Sequence, residues 1–124
     1  MDHRQIVRTI ACARIAIGAS LLVSPGRVGG QWIGPASQRP ATKAAIRGLA
    51  VRDLALGVGT FQALAEGTPV RPWALAGAVS DLVDAAAVTI AVRDIGLRRA
   101  IPAIAVALGF GVYAASVADQ LDPV

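Results

Sequence analysis

The chain has 124 residues, of which 55% are hydrophobic and 16% are charged, whereas about a quarter of the residues in an ordinary soluble domain are charged. This composition excludes an ordinary soluble domain, because so small a fold cannot bury that much apolar surface and keep a polar exterior. The net charge of +4 does not indicate a nucleic-acid binder, since the basic residues lie between and at the ends of apolar segments rather than among aromatic residues. We therefore expect an integral membrane protein surrounded by the lipid bilayer, with no nucleic acid as partner; a very hydrophobic soluble helical bundle is the alternative.

Four apolar stretches follow one another along the chain, at residues 6–23, 44–64, 73–92 and 101–118. Each approaches the roughly 20 residues that a helix needs to cross a hydrocarbon core of about 30 Å. Each must be helical, because lipid offers no partner to open backbone groups. The short links make successive helices antiparallel neighbours, so the sequence predicts an all-α, up-down bundle of four transmembrane helices that forms a single domain over residues 1–124.

The connections between these stretches are rich in glycine and proline. The first, "SPGRVGGQWIGPASQRPATK", contains Trp32, which is expected at the membrane interface where tryptophan is favoured. The second, "EGTPVRP", is a tight turn followed by Trp73, a second interfacial anchor. The third, "RDIGLRR", leads into the last helix.

The basic residues of the connections predict the orientation in the membrane. Seven lie in or beside the first and third connections, and three lie on the other side. They are Arg27, Arg39, Lys43, Arg47, Arg93, Arg98 and Arg99 against Arg4, Arg8 and Arg71. Because basic connections stay in the cytoplasm, loops 24–43 and 93–100 are expected there and both termini outside. A single lysine beside eleven arginines, with abundant Ala, Gly and Val, is typical of a GC-rich bacterial genome. The expected location is therefore the bacterial cytoplasmic (inner) membrane, which the chain crosses several times.

Five ionisable residues lie near the centres of three of the predicted helices: Arg14, Arg52, Asp53, Asp81 and Asp84. Each costs about 2.5–3.5 kcal/mol at the middle of a membrane. Left unpaired, the five would cost on the order of 12–17 kcal/mol, which exceeds the stability of a typical small domain. We therefore expect them to face the interior and to form a buried charge layer.

The spacing of these residues allows specific pairs. The two aspartates of helix three are three residues apart and share a face. Arg52 and Asp53 are consecutive, hence about 100° apart around their helix, so one arrangement has Arg52 reaching helix three and Asp53 reaching Arg14. Arg47 is then expected to balance the third carboxylate, which would give three charges of each sign.

Small residues at four-residue spacing predict close helix packing. They are Cys12, Ala16, Ser20 and Ser24 on helix one, Ala55, Gly59 and Ala63 on helix two, and Ala103, Ala107, Gly111 and Ala115 on helix four. A single cysteine permits no intramolecular disulfide, CxxC pair or cysteine metal site. We expect no metal, no cofactor and no catalytic residues, because the embedded serines and threonine have no histidine near them.

Two interpretations of the charge layer stay open. In the first, the layer fixes helix register and the protein is a non-enzymatic accessory or assembly subunit, or a self-associating membrane module. In the second, the protein is a small proton-linked transporter or a binder of a lipophilic ligand that uses Asp81 and Asp84, because ionisable residues inside a membrane commonly serve function. Since 12.6 kDa encloses little interior volume, the sequence is compatible with a homo-oligomer or a larger membrane complex.

Three segments, "ARIAIGASLLVSP", "GLAVRDLALGVG" and "PWALAGAVSDLVDAAAV", resemble a group of small, uncharacterised four-helix bacterial membrane proteins that are described as domains of unknown function and are loosely DoxX-like. The resemblance implies a four-helix membrane bundle with an Arg-Asp pair on helix two, matching Arg52 and Asp53, and aspartates on helix three, matching Asp81 and Asp84. It implies no settled activity. The redox chemistry associated with some of these proteins would require cysteines that this chain lacks.

Overall fold

The described part of the chain, residues 2–122 of a computed structural model, is almost entirely helical and contains no strand. The elements are α1 (His3–Val23), α2 (Pro25–Ile33), a 3₁₀ turn (Gly34–Gln38), α3 (Pro40–Glu66), α4 (Arg71–Ile90), α5 (Val92–Ile95) and α6 (Leu97–Leu121). The predicted all-α class is thereby confirmed.

Local sequence signals explain where the long helices begin and end. Asp2 and Gln5 form a reciprocal capping box at the start of α1, in which the Asp2 carboxylate accepts the Gln5 backbone N–H at 2.7 Å. Pro40 opens α3, where its fixed φ suits the first turn and its missing N–H is not needed. Gly67 ends α3 in the left-handed conformation, with φ of 69°.

The segment 24–43, expected to be a loop, is mostly helical instead. After one break at Ser24 the chain resumes as α2 and then as the 3₁₀ turn. The turn folds back on α2 because the Ser37 hydroxyl and the Gln38 side-chain amide both donate to the Gly26 carbonyl, at 2.8 and 3.1 Å. Segment 93–100 is likewise helical except at Gly96, whose φ of 85° turns the chain between α5 and α6.

The four long helices form two closely packed pairs, α1 with α3 and α4 with α6, and the contacts between the pairs are fewer. Arg4, in the first turn of α1, donates to the carbonyls of Leu121 at 2.7 Å and of Leu64 at 3.3 Å. The start of α1 therefore lies beside the ends of α3 and α6. The Asp122 carboxylate accepts the Val70 N–H at 2.6 Å, which places the start of α4 at the same end.

Two glycines allow α1 and α3 to cross at very short range. A β-carbon at Gly18 would lie 2.7 Å from the carbonyl oxygen of Ala50, and one at Gly57 would lie 2.8 Å from the carbonyl oxygen of Ala11. Both clashes would be with backbone atoms, which cannot move aside as a flexible side chain can. Gly57 lies beside Arg14, whose β-carbon would be 3.1 Å from one at Gly57, and Gly18 lies one turn further along α1. The two glycines thus allow close packing of the helix backbones around Arg14.

The small-residue ridge predicted on α1 is wrong. Cys12 is exposed, as are Ala16 and Ser20, and the buried line of α1 consists of Val7, Ala11, Arg14, Gly18 and Leu21. In an Ala-rich helix, small residues occur on every face and so do not identify the buried one. The position of a charged residue that must be buried does identify it. Arg14 and the positions three, four and seven residues away from it form the face that packs.

The outer surface of the helices is apolar. Three helices are long and apolar enough to cross a membrane, α1, α4 and α6, and in each only 28% of the apolar window is buried within the protein. The exposed side chains include Val79 at 62%, Val83 at 59% and Ile90 at 86% exposure. Helix α3 has 27 residues but is not among the three; it carries Arg52 and Asp53 at its centre.

Candidate ligand cavity and buried ion network

Arg14 occupies the centre of the space between the two helix pairs, with only 6% of the residue exposed. Its Nη1 donates to Asp53 Oδ1 at 3.3 Å, and its Nη2 donates to Asp81 Oδ2 and to the Gly77 carbonyl at 3.3 Å. A β-carbon at Gly77 would lie 3.1 Å from Nη2. The glycine thus leaves room for the guanidinium and also supplies it with an acceptor.

Arg52 forms a two-point pair with Asp84. Its Nη1 donates to Oδ1 at 2.9 Å and its Nη2 to Oδ2 at 2.5 Å, the fork geometry that makes Arg–carboxylate pairs strong and directional. Its Nη2 also lies 3.4 Å from Asp53 Oδ1. Both side chains of this pair are about a third exposed, at 31% and 29%.

These five residues, Arg14, Arg52, Asp53, Asp81 and Asp84, form one connected ion network, and the predicted buried Arg-Asp network is confirmed. Arg52 is directed toward α4 and its neighbour Asp53 toward α1, as their angular separation of about 100° requires. Two of the ion pairs, Arg14–Asp81 and Arg52–Asp84, cross from the α1–α3 pair to the α4–α6 pair. The network therefore ties together the two halves of the fold where few other contacts do.

The structure contradicts the expected contribution of Arg47. Its side chain is exposed and forms no ion pair with any residue between 2 and 122. Five residues along an α-helix turn the side chain by roughly 140°, so Arg47 and Arg52 belong to different faces of α3. The network is left with two guanidinium groups and three carboxylates, a formal charge of −1.

Two carboxylate oxygens of the network have no donor. Asp53 uses Oδ1 for both arginines and Asp81 uses Oδ2 for Arg14, and no residue of the described chain donates to the other oxygen of either group. Within residues 2–122, one fully buried side-chain nitrogen or oxygen has no hydrogen-bond partner, and it is Arg52 Nε. Protein atoms therefore do not close off the free oxygens of Asp53 and Asp81 completely, and both residues line the cavity described next.

A cavity of about 220 Å³ lies beside the network. Arg14, Asp53, Asp81 and Asp84 line one part of it, and apolar side chains of α1, α3, α4 and α6 line most of the remainder. The short helix α2 lies against the same space through Gly29, Trp32 and Ile33. An apolar cavity of about 150 Å³ is enough to hold benzene, so this one can hold an aromatic ring with a short substituent.

The two tryptophans occupy different surroundings. Trp32 is half-buried and lines the cavity, whereas the ring of Trp73 packs against Gly59 on α3, where a β-carbon would clash with it. A role as interfacial anchor stays a prediction for both. A second cavity of about 20 Å³ beside Trp73 has room for one water molecule at most.

The sequence did not predict the cavity or the part that α2 plays in it. The available signal was Trp32, a large aromatic side chain followed by Ile33 in a segment that is otherwise mostly small and polar. Within residues 2–122, no group of three or more His, Cys, Asp or Glu side chains is arranged to hold a metal ion.

Comparison with protein-family models, with curated proteins and with solved structures found no match. The resemblance drawn from the three sequence segments stays a prediction.

Proposed function

We propose that this chain is a four-span, up-down membrane protein of the bacterial inner membrane that binds a small lipophilic ligand in the cavity beside the ion network. The observation that carries the proposal is the cavity itself, about 220 Å³ lined by apolar side chains and by three carboxylates. Binding sites of this kind are mostly apolar, with a few polar groups that fix the orientation of the ligand.

Residence in the membrane is supported by the outer surface. In each of the three most apolar helices only 28% of the apolar window is buried, and α4 and α6 expose Val, Leu and Ile side chains along their length. The fourth long helix, α3, directs Asp53 inward and exposes Val51 and Val58, at 54% and 41%, so its outer face suits lipid as well. The distribution of basic residues favours a cytoplasmic location for segments 24–43 and 93–100 and an outside location for the termini.

In this proposal the network has a structural task and the cavity has the functional one. Buried ion pairs contribute little net stability but can enforce a specific arrangement. Here Arg14 and Arg52, which join the halves of the fold, also hold Asp53 and Asp81 at fixed positions on the cavity wall. A site whose polar groups are already in place loses less entropy when the ligand binds. The two roles considered for the charge layer are thus combined.

The proposed role is non-enzymatic binding. Among residues 2–122, no Ser, Thr, Cys, His or Lys side chain lines the cavity, so the usual pairing of a nucleophile with a base has no candidates there. Self-association, or membership of a larger membrane complex, remains compatible with this role as a separate prediction.

The fluorescence of Trp32 tests the proposal. In the variant Trp73→Phe, Trp32 is the only tryptophan, and a brominated ligand in the cavity would quench it. With the protein in phosphatidylcholine nanodiscs, titration with 4-bromobenzyl alcohol should give saturable quenching. The control variant Trp32→Phe keeps only Trp73, which reports unspecific partitioning into the bilayer and should show no saturation.

A variant that fills the cavity provides the second part of the test. Ala107 lines the cavity, and Ala107→Phe in the Trp73→Phe background should abolish the saturable component while helix content is kept. Ala107→Leu serves if the larger side chain prevents folding. Quenching that is linear in the parent, or equal in the parent and the filled variant, would overturn the proposed function.

A further inference from the structure

With all of its side chains ionised, the ion network carries a formal charge of −1 at the wall of the cavity. It contains two guanidinium groups and three carboxylates, and the exposed Arg47 contributes nothing to it. Arg14, Asp53 and Asp81 are 6%, 8% and 4% exposed, so little water is available to solvate the excess charge. Buried charges in proteins are normally matched by a partner of opposite sign.

The pairing pattern shows where this excess lies. Both oxygens of Asp84 accept hydrogen bonds from Arg52, which satisfies that carboxylate. Asp53 and Asp81 share Arg14 between them, with one oxygen each, and Asp53 receives one further, longer contact from Arg52. The unmatched charge therefore belongs to the Asp53 and Asp81 pair, whose free oxygens are open and whose side chains line the cavity.

The rest of the cavity suits the other part of a cationic amphiphile. Its walls are aliphatic side chains with two aromatic rings, Trp32 and Phe110. Aromatic faces attract cations, and ammonium groups bound next to such rings are a common mode of recognition. An ammonium group can donate to the free oxygens of Asp53 and Asp81 while its hydrocarbon part fills the apolar remainder.

We propose that the ligand of the cavity is a small organic amine, an arylalkyl- or alkylammonium ion with one positive charge. This inference rests on the proposed binding function and specifies its ligand class. A neutral alcohol of the same shape would leave the excess charge unmatched, and a carboxylate would add to it. Phospholipid headgroups are disfavoured as occupants because their phosphate would meet the same carboxylates.

Three probes of one shape separate the contributions of charge and of apolar fit. They are 4-bromobenzylamine, 4-bromobenzyl alcohol and 4-bromobenzoate, each titrated at neutral pH against the Trp73→Phe protein in phosphatidylcholine nanodiscs. A charge-assisted hydrogen bond predicts that the amine half-saturates the quenching of Trp32 at a concentration about tenfold or more below that of the alcohol. The benzoate should not saturate. The Trp32→Phe variant corrects each titration for partitioning into lipid.

The variant Asp53→Asn removes the excess charge while the side chain keeps its shape. It leaves two guanidinium groups and two carboxylates, so the preference for amine over alcohol should fall to within about threefold, while the alcohol binds as before. Asp81→Asn removes one negative charge from the neighbouring carboxylate, and it replaces Asp53→Asn in this test if that variant does not fold.

The possible outcomes separate this inference from the proposed function. Saturable binding of amine and alcohol with equal affinity would overturn the inference and leave the binding function in place. An amine preference that survives in both Asn variants would overturn it too. If no probe saturates, the binding function itself fails.

Discussion

Replacing Arg14 by methionine removes the central donor of the ion network while most of the side-chain volume is kept. The Arg14 side chain is 7% exposed, and its guanidinium donates to Asp53, to Asp81 and to the Gly77 carbonyl. Its loss leaves two buried carboxylates with only the long contact from Arg52 to Asp53 as compensation. Removing one partner of a buried ion pair costs about 3–5 kcal/mol, and we expect Arg14→Met to lower the free energy of unfolding by that amount.

The measurement is equilibrium unfolding in mixed detergent micelles, followed by circular dichroism. Arg8→Met is the matched control, because Arg8 is exposed on the same helix and forms no ion pair with any residue between 2 and 122. Its guanidinium carbon lies 5.1 Å from the centroid of the Phe61 ring. The Arg8→Met substitution should lower the free energy of unfolding by less than about 1 kcal/mol. Combining Arg14→Met with Asp81→Asn should cost less than the sum of the two single losses, by about 2 kcal/mol. Equal losses for Arg14→Met and Arg8→Met, or strictly additive single losses, would refute the network as described.

Three further predictions concern helix packing, the capping of α4 and the exposure of α1 to lipid. Gly111→Ala would place a β-carbon 2.9 Å from the β-carbon of Asp81, and it should lower the free energy of unfolding by about 1–3 kcal/mol. In the control Gly109→Ala the added β-carbon meets nothing within 4 Å, so the thermal midpoint should not fall. Asp122→Ala removes the acceptor of two backbone N–H groups at the start of α4, and it should lower the free energy of unfolding by about 1 kcal/mol. The control is Asp119→Ala, because Asp119 forms a surface ion pair and its side chain is 86% exposed. Its loss of stability in the same assay should be less than about 0.5 kcal/mol. Cys12, exposed at mid-helix on the outer face of α1, should react with a water-soluble maleimide only after the membranes are dissolved in SDS; equal reaction before and after would contradict a lipid-facing position.

The pairing within the network was predictable because one energetic requirement dominates it. Charges that cannot face lipid singly must meet, and the helical angle between Arg52 and Asp53 then decides which neighbour each one reaches. The prediction for Arg47 was wrong because it assumed equal numbers of positive and negative charges. The helical angle between Arg47 and Arg52 instead puts the two side chains on different faces of α3. A network with one unmatched carboxylate was not expected from the sequence, and that imbalance is its most informative property.

Segment 24–43 was not predictable from local signals, since its glycines and prolines are typical of a loop. The helical state of α2 depends on contacts with distant residues: Ser37 and Gln38 bind the Gly26 carbonyl, and Gly29 packs against Ile46 so closely that a β-carbon would lie 2.7 Å from its side chain. The cavity depends in the same way on side chains from five helices. Its volume is set by how these side chains pack, which no periodicity in one segment encodes.

The order in which the network is synthesised has a consequence for insertion into the membrane. Arg14 leaves the ribosome 39 residues ahead of Asp53 and 67 residues ahead of Asp81, and a lone arginine at mid-bilayer costs about 2.5–3.5 kcal/mol. A nascent chain that holds only α1 and α3 has two guanidinium groups against one carboxylate, so its early helices carry surplus positive charge. Only the arrival of α4 reverses that sign. In the membrane location proposed above, release of α1 and α3 from the translocon into lipid is therefore expected to become more favourable once α4 supplies Asp81 and Asp84.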